Sequence, residues 1–378
     1  IGVGLELIVV DDGSSDRTSE IVRGYPEVRL LRHDPNRGYG AALKTGFCAA
    51  NGDLLGFLDA DGTYPPESFP ELCTEILDND ADVVVGSRRS GAASGMPAVR
   101  RVGNFIWSNL VSVLSSHRVI DPASGMRVFR REALARLYPL PDGLNFTPVM
   151  STRTVHEGLN LVEIPMAYEE RQGRSKLSVV EDGMRFLRTI IWTAMCYNPA
   201  RVLGGVGFAT FVVGLLIALV LAGMRLSGIE TLGPWGVAGT FAAVVLGVTG
   251  FDLFALGATF NYAVALFHGD GIIQRGLFGR PIFDPPLDRH FWWMGLLSLV
   301  GGLALGGVSL ALGMNGWPID RLWLYLLAGT MLTLMGVQLV IFWVIMRVLE
   351  ELSGRDAAVQ ADLETTGDIT FERASGRP

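Results

Sequence analysis

Residues 54 to 62 read Leu54-Leu55-Gly56-Phe57-Leu58-Asp59-Ala60-Asp61-Gly62. A short apolar run ends in two carboxylates one residue apart. A fully buried strand reads this way, with the acids displayed at its carboxyl end. In open α/β sheets, ligands bind beyond the carboxyl ends of the strands. Two carboxylates there offer hard oxygen ligands to Mg2+ or Mn2+, and substrate phosphates supply more. An Asp-x-Asp pair alone is most often a solvated turn, so its meaning depends on its neighbours.

Those neighbours repeat the pattern. Leu5 to Val10 is apolar and closes in Asp11-Asp12-Gly13-Ser14-Ser15-Asp16, with a helix expected over Thr18 to Arg23. Further strands are expected at Val28 to Leu31 and Asp82 to Gly86, the latter ending in Ser87-Arg88. A helix is expected over Ala41 to Ala50, after Gly38-Tyr39-Gly40. Strands alternating with helices predict an α/β sheet. Gly38-Tyr39-Gly40 does not open a dinucleotide fingerprint, because the third glycine position is Leu43 and no strand immediately precedes it.

Beyond Arg201 the composition changes. Val202–Met224, Phe291–Met314 and Leu322–Met346 carry no charge, and Pro234–Phe267 carries only Asp252. About 20 apolar residues cross a hydrocarbon core of about 30 Å. Four spanning helices are therefore expected within residues 201–348. Gly204, Gly205, Gly207 and Gly214 in the first, and Gly301, Gly302, Gly306 and Gly307 in the third, suit close helix packing. Arg201, Arg275, Arg280, Arg289, Arg347 and Arg355 fall on one side, against Arg225 and Arg321 on the other. The positive-inside rule then puts the soluble half on the cytoplasmic face of a cell (inner) membrane. Asp252 reads as an interfacial acid in preference to a functional intramembrane one, because its apolar segment exceeds one crossing. Residues 177–200 place Val180, Met184, Leu187, Ile191, Ala194 and Met195 at helical spacing beside Arg185 and Arg188, as in an amphipathic helix at the interface. The polar stretch 349–378 is expected to be a disordered tail.

A net charge of -7 argues against a nucleic-acid partner. Cys48, Cys73 and Cys196 form no C-x-x-C pair and read as buried small hydrophobes, not as a zinc site or disulfide framework. His33, His117 and His156 belong to no motif and take no catalytic role.

Val9-Val10-Asp11-Asp12-Gly13-Ser14-Ser15-Asp16-Arg17-Thr18, Asn36-Arg37-Gly38-Tyr39-Gly40, Asp59-Ala60-Asp61-Gly62 and Val84-Val85-Gly86-Ser87-Arg88 resemble, in order and spacing, the family 2 glycosyltransferases of the GT-A (Rossmann-like) fold. Asp121-Pro122-Ala123-Ser124-Gly125-Met126-Arg127 and Arg171-Gln172-Gly173-Arg174-Ser175-Lys176 are similar to segments of polyprenyl-phosphate hexose synthases. These include dolichyl-phosphate mannose synthase and the undecaprenyl-phosphate glucosyltransferases. The resemblance runs over roughly Leu5 to Arg201. It implies a GT-A domain over 1–176 and inverting transfer of glucose or mannose, from UDP-glucose or GDP-mannose, to undecaprenyl or dolichyl phosphate. It assigns Asp11, Asp12, Ser14, Asp16 and Asp59 to the nucleotide sugar, and Asp59 and Asp61 to Mg2+ or Mn2+. Catalysis falls to Asp59, Asp61, Arg88 and Arg127. The acceptor phosphate falls to Ser124, Arg127, Arg171, Arg174 and Lys176. Related enzymes associate, so a homo-oligomer is expected without a fixed number.

Two departures stand out. The family's first strand has no counterpart, so the chain starts at what corresponds to its second. Thr63 stands where many dolichyl-phosphate mannose synthases carry Gln, which leaves a third protein ligand to the metal in doubt. Two other readings stay open. One is a processive polysaccharide synthase, although no Gln-x-x-Arg-Trp motif is present. The other is a catalytically impaired sugar-nucleotide-binding membrane protein.

Overall fold

The apolar runs become strands close to where the sequence places them. The computed structural model describes residues 4–88, 98–115, 117–167, 169, 179–229, 233–267 and 287–367. The chain divides into two compact units, Ile1–Ala194 and Met195–Pro378.

In the first unit, β1 (Leu7–Asp11), α1 (Thr18–Arg23), β2 (Val28–Arg32), α2 (Tyr39–Ala49) and β3 (Leu54–Leu58) follow the expected order. The remainder is α3 (Phe69–Asp78), β4 (Val83–Ser87), α4 (Ala98–Ser115), β5 (Met126–Arg130), α5 (Ala133–Leu137), α6 (Phe146–His156), β6 (Leu161–Pro165) and α7 (Val179–Tyr197). Strands β1 and β2 pair in parallel as one sheet, and the second sheet has the order β3-β5-β4-β6. In it β5 runs antiparallel to β3 and β4, while β4 and β6 are parallel.

The second sheet is buried on both faces, which explains its continuous apolar runs. Side chains alternate with the pleat. Leu55, Phe57, Val83, Val85 and Phe129 point to one face, with Phe47, Phe146 and Met150. Val84, Met126 and Val128 point to the other, with Leu72 and Ile76. Phe129 is fully buried, and its truncation to Ala would cost about 3–5 kcal/mol.

Strands β1 and β3 belong to different sheets. At their starts, the Asn51 N–H donates to Glu6 Oε2 at 2.8 Å. At their ends, the Gly38 N–H donates to Asp12 Oδ2 at 2.8 Å and the Tyr39 hydroxyl to Asp59 Oδ1 at 2.8 Å. A cavity of about 2930 Å³ lies between them, lined by Leu7 to Val10 on one side and Leu54 to Leu58 on the other. Among the described residues no strand bridges the two sheets.

Helix α7 covers the segment where an amphipathic helix is expected. Its Ile190 and Ala194 are buried, while Met184 and Trp192 stay exposed. Phe186 of α7 meets Trp107 of α4 edge to face. Helix α4 also exposes Val102, Phe105, Ile106 and Val113, an apolar stripe that the sequence reading did not single out.

After the last residues of α7, the second unit has a π-helical turn, Ala200–Gly204, and continues with α8 (Gly205–Leu226), α9 (Pro234–Phe267), α10 (Phe291–Met314) and α11 (Ile319–Gly367). Each carries a segment long and apolar enough to cross a membrane. Backbones touch along two seams. A Cβ on Gly207 would lie 2.6 Å from the Gly250 carbonyl, and one on Gly302 would lie 2.7 Å from that of Gly329. Gly301, Gly306 and Gly307 instead face open space. Helix α9 does not end near Asp252 but continues to Phe267.

Two expectations need correction. The tail does not lose structure at 349: α11 extends to Gly367, because elongating an existing helix avoids the nucleation cost and residues 349–367 contain no Pro. Cys48 and Cys196 are exposed and Cys73 is half-buried. Cys48 and Cys196 lie near the ends of α2 and α7, away from the inward faces.

Candidate functional site

The acids of the first turn are turned inward. The Asp11 side chain is fully buried, with Arg32 Nε 3.8 Å away. It accepts the Ser14 N–H at 2.8 Å and the Ser19 hydroxyl. The bonds from Ser19 and Ser14 hold its pKa down to about 2. Asp12 accepts the Arg37 N–H at 2.9 Å and the Gly38 N–H at 2.8 Å. His33 Nδ1 lies 2.7 Å from the same carboxylate. Burial pushes the Asp12 pKa up, but these bonds outweigh it and the net shift is downward. Gly38 sits at φ +104, a conformation that favours glycine, and so its N–H can turn toward Asp12. Asp16 accepts the Thr18 N–H at 3.0 Å, just before α1. Ser14 bonds through its backbone, donating its N–H to Asp11 and accepting Arg32 Nη2 at 3.3 Å. Asp11 and Asp12, expected at the nucleoside, here accept hydrogen bonds from their own loops.

The second turn is arranged differently. Asp59 and Asp61 are both half-buried and both line the large cleft, with Thr63, Tyr64 and Arg88. Asp61 accepts the Thr63 hydroxyl at 2.6 Å, which fixes the turn. The Asp59 N–H donates to the Gly125 carbonyl at 3.1 Å, tying the end of β3 to the start of β5.

Arg88 also reaches the cleft. It is held in a bidentate pair with Asp121, Nε to Oδ2 at 2.8 Å and Nη2 to Oδ1 at 2.6 Å. The Asp121 side chain is fully buried and that of Arg88 is 15% exposed. Burial raises the Asp121 pKa, but Arg88 outweighs it and keeps the carboxyl below its usual range. Glu163 supports this loop from β6, accepting the Ile120 and Asp121 N–H groups, each at 2.7 Å. Burial pushes the Glu163 pKa up.

Ser124 and Arg127, expected at the acceptor phosphate, lie inside the fold. Both are fully buried. The Ser124 hydroxyl donates to the Gly86 carbonyl at 2.5 Å. Arg127 donates to the Ser124 carbonyl at 3.1 Å and the Pro122 carbonyl at 2.8 Å. Burial lowers the Arg127 pKa to about 10, which leaves it charged at neutral pH. These side chains hold the 121–125 loop. Arg171, Arg174 and Lys176 lie outside the described residues.

Sequence reasoning missed Tyr39, Tyr64, Asp121 and Glu163 as site residues. The Tyr64 hydroxyl accepts the Gly125 N–H at 2.7 Å, and burial raises its pKa to about 12. Asp121 and Gly125 stood inside a quoted motif, so their signal was present. Glu163 is a lone acid in a strand, and only the fold reveals it.

The donor set can be tested against a divalent cation. Among the described residues no group of three or more His, Cys, Asp or Glu could hold one. Two carboxylates on one cleft fit Mg2+ or Mn2+ when diphosphate oxygens and water supply the other ligands.

Comparisons with known proteins agree with this layout. The family model of glycosyl transferase family 2 matches residues 3–138, and a model described as a domain of unknown function (DUF8752) matches 199–360. The low-salt glycan biosynthesis hexosyltransferase Agl6 of Haloferax volcanii is 31% identical over 311 residues, 81% of this chain and 69% of that protein. The dolichyl-phosphate hexose transferase of the same organism is 33% identical over 188 residues, 50% of this chain and 81% of that protein. The undecaprenyl-phosphate 4-deoxy-4-formamido-L-arabinose transferase of Photorhabdus laumondii is 30% identical over 285 residues, 73% of this chain and 78% of that protein. With its acidic turns in the family's order and a relative of this identity covered over more than two thirds of its length, the chain belongs to glycosyltransferase family 2 and carries its GT-A fold.

Proposed function

We propose that this glycosyltransferase moves a hexose from a nucleoside-diphosphate sugar to a polyprenyl phosphate, with inversion at the anomeric carbon. One observation carries the reading. Asp59 and Asp61 open to the same cleft as Arg88, which Asp121 orients. Relatives named for dolichyl-phosphate and undecaprenyl-phosphate acceptors support the acceptor class, and the four apolar helices suit a lipid-borne substrate.

Asp59 and Asp61 would hold Mg2+ or Mn2+ against the donor diphosphate. That ion supplies Lewis-acid stabilisation of the departing nucleoside diphosphate. Arg88 presents a guanidinium that suits bidentate phosphate contact, and its pairing with Asp121 fixes its direction before substrate arrives. An acceptor phosphate oxygen attacks the anomeric carbon, and the bond from that carbon to the diphosphate oxygen breaks. A phosphomonoester has a second pKa of about 6, so the nucleophile is already anionic at neutral pH and no general base is required. Catalysis then rests on positioning and electrostatics.

The catalytic domain would face the cytoplasm, by the distribution of Arg around the spans. UDP-glucose and GDP-mannose are the first donors to try. Full-length protein in membranes is incubated with each radiolabelled donor, Mn2+ and polyprenyl phosphate. Label extracted as a monophosphate-linked lipid supports the reading. Label in polymer supports a processive synthase. No incorporation from any nucleotide sugar supports the impaired binder.

A further inference from the structure

Helix α2 starts where several contacts fix it. Asp12 accepts the Arg37 and Gly38 N–H groups. The Gly40 and Ala41 N–H groups donate to the Asp142 carbonyl at 2.7 and 3.2 Å. A Cβ on Gly40 would lie 2.1 Å from the Pro141 carbonyl oxygen, so the backbones touch there. Tyr39 is thus the first residue of a helix whose start cannot slide. Its ring packs edge-on against Phe146, at 6.3 Å and 87°. Its hydroxyl donates to Asp59 Oδ1 at 2.8 Å.

Gly125, the residue before β5, presses on the same carboxylate. A Cβ there would lie 2.4 Å from Asp59 Cγ, closer than any side chain tolerates. Gly125 cannot retreat easily, because its N–H is bonded to Tyr64 and its carbonyl to the Asp59 N–H. An unrestrained Asp samples several rotamers. Beside the like charge of Asp61, it would tend to turn away.

We propose that Tyr39 is a positioning residue that, with Gly125, clamps the Asp59 carboxylate in the orientation that receives a divalent cation. The inference rests on the reading of Asp59 and Asp61 as the cation's ligands. Hydrogen bonds behind a ligand typically change metal affinity about 10–100-fold. The clamp also links the two acidic turns. Asp12 anchors α2, and the first side chain of α2 sets Asp59.

The test uses full-length protein in detergent and Mn2+ as the probe, alone and with UDP or GDP, with free Mn2+ read by electron paramagnetic resonance. Tyr39→Phe keeps the ring and removes the donor. It should weaken Mn2+ binding about 10-fold, leave the thermal midpoint close to that of the unaltered protein, and raise the Mn2+ requirement of transfer while kcat recovers at saturating Mn2+. Gly125→Ala attacks the clamp from the other side and should weaken binding at least as much. Mn2+ binding by folded Tyr39→Phe that equals the unaltered protein overturns the clamp and leaves the proposed function standing. Unaltered protein that transfers sugar but binds no Mn2+ overturns the cation reading and the clamp with it.

Discussion

Two strand ends in this protein carry nearly the same signature, an acidic pair followed by glycine. Asp11 and Asp12 close β1, and Asp59 and Asp61 close β3. Their surroundings differ. At the first, backbone N–H groups of residues 14, 37 and 38 converge on the carboxylates, together with Ser19 and His33. At the second, both carboxylates line the cleft beside Arg88. Acids that already accept several hydrogen bonds from their own chain are braces. Asp59 accepts the Tyr39 hydroxyl, Asp61 accepts the Thr63 hydroxyl and N–H, and both still line the cleft. Access to the cleft, not the motif, separates the two.

Substitutions should divide along the same line. Asp59→Asn or Asp61→Asn should lower transfer at least about 10²-fold while thermal stability holds. A large loss of stability there would erase the contrast. Asp121→Ala removes the bidentate carboxylate from the mostly buried Arg88, and breaking such a pair costs about 3–5 kcal/mol. Differential scanning fluorimetry should show that drop together with lost activity. Asp12→Asn removes an acceptor for charge-assisted bonds and should cost about 1–3 kcal/mol, with a smaller loss of transfer than at Asp59. An Asp12→Asn protein that is stable yet inactive would place the first turn in the active site after all.

Two smaller effects sharpen the picture. The folded-state pKa of Asp11 is depressed from 3.8 to about 2. Its contribution to stability is therefore complete above pH 3.8 and is lost as pH falls toward 2. Proteolysis of the 11–16 turn should rise in that window and be flat above it. Glu163 has a raised pKa, so its ionisation opposes folding as pH climbs past its ordinary value of 4.5. Glu163→Gln keeps an acceptor for one N–H. Its stability relative to the parent should improve from acid to neutral pH.

Much of the fold could be read from the sequence, because buried strands and apolar spans leave continuous runs. Leu54–Leu58, Pro234–Phe267 and Phe291–Met314 fall where the residues alone put them. The antiparallel β5 did not announce itself, since Met126–Arg130 alternates apolar residues with Arg127 and Arg130 inside a motif that looked purely chemical. Of the site, Asp59, Asp61 and Arg88 were legible as acids and a cation at strand ends. Arg127 and Ser124 were legible as a motif but not as buried supports, because hydrogen bonds to backbone carbonyls leave no trace in residue type. Tyr39 and Glu163 act through partners 20 and 42 residues away, and only the folded chain brings those together.

The most direct measurement locates the cation. Crystals or frozen particles of the full-length protein are prepared with Mn2+ and the nucleoside diphosphate of its donor, and manganese is identified by anomalous scattering or density. The account predicts a single manganese within bonding distance of Asp59 or Asp61, with the diphosphate beside it and Asp11 and Asp12 still bonded to their own loops. Manganese bound at Asp11 and Asp12, or a diphosphate seated away from Asp59 and Asp61, would contradict it.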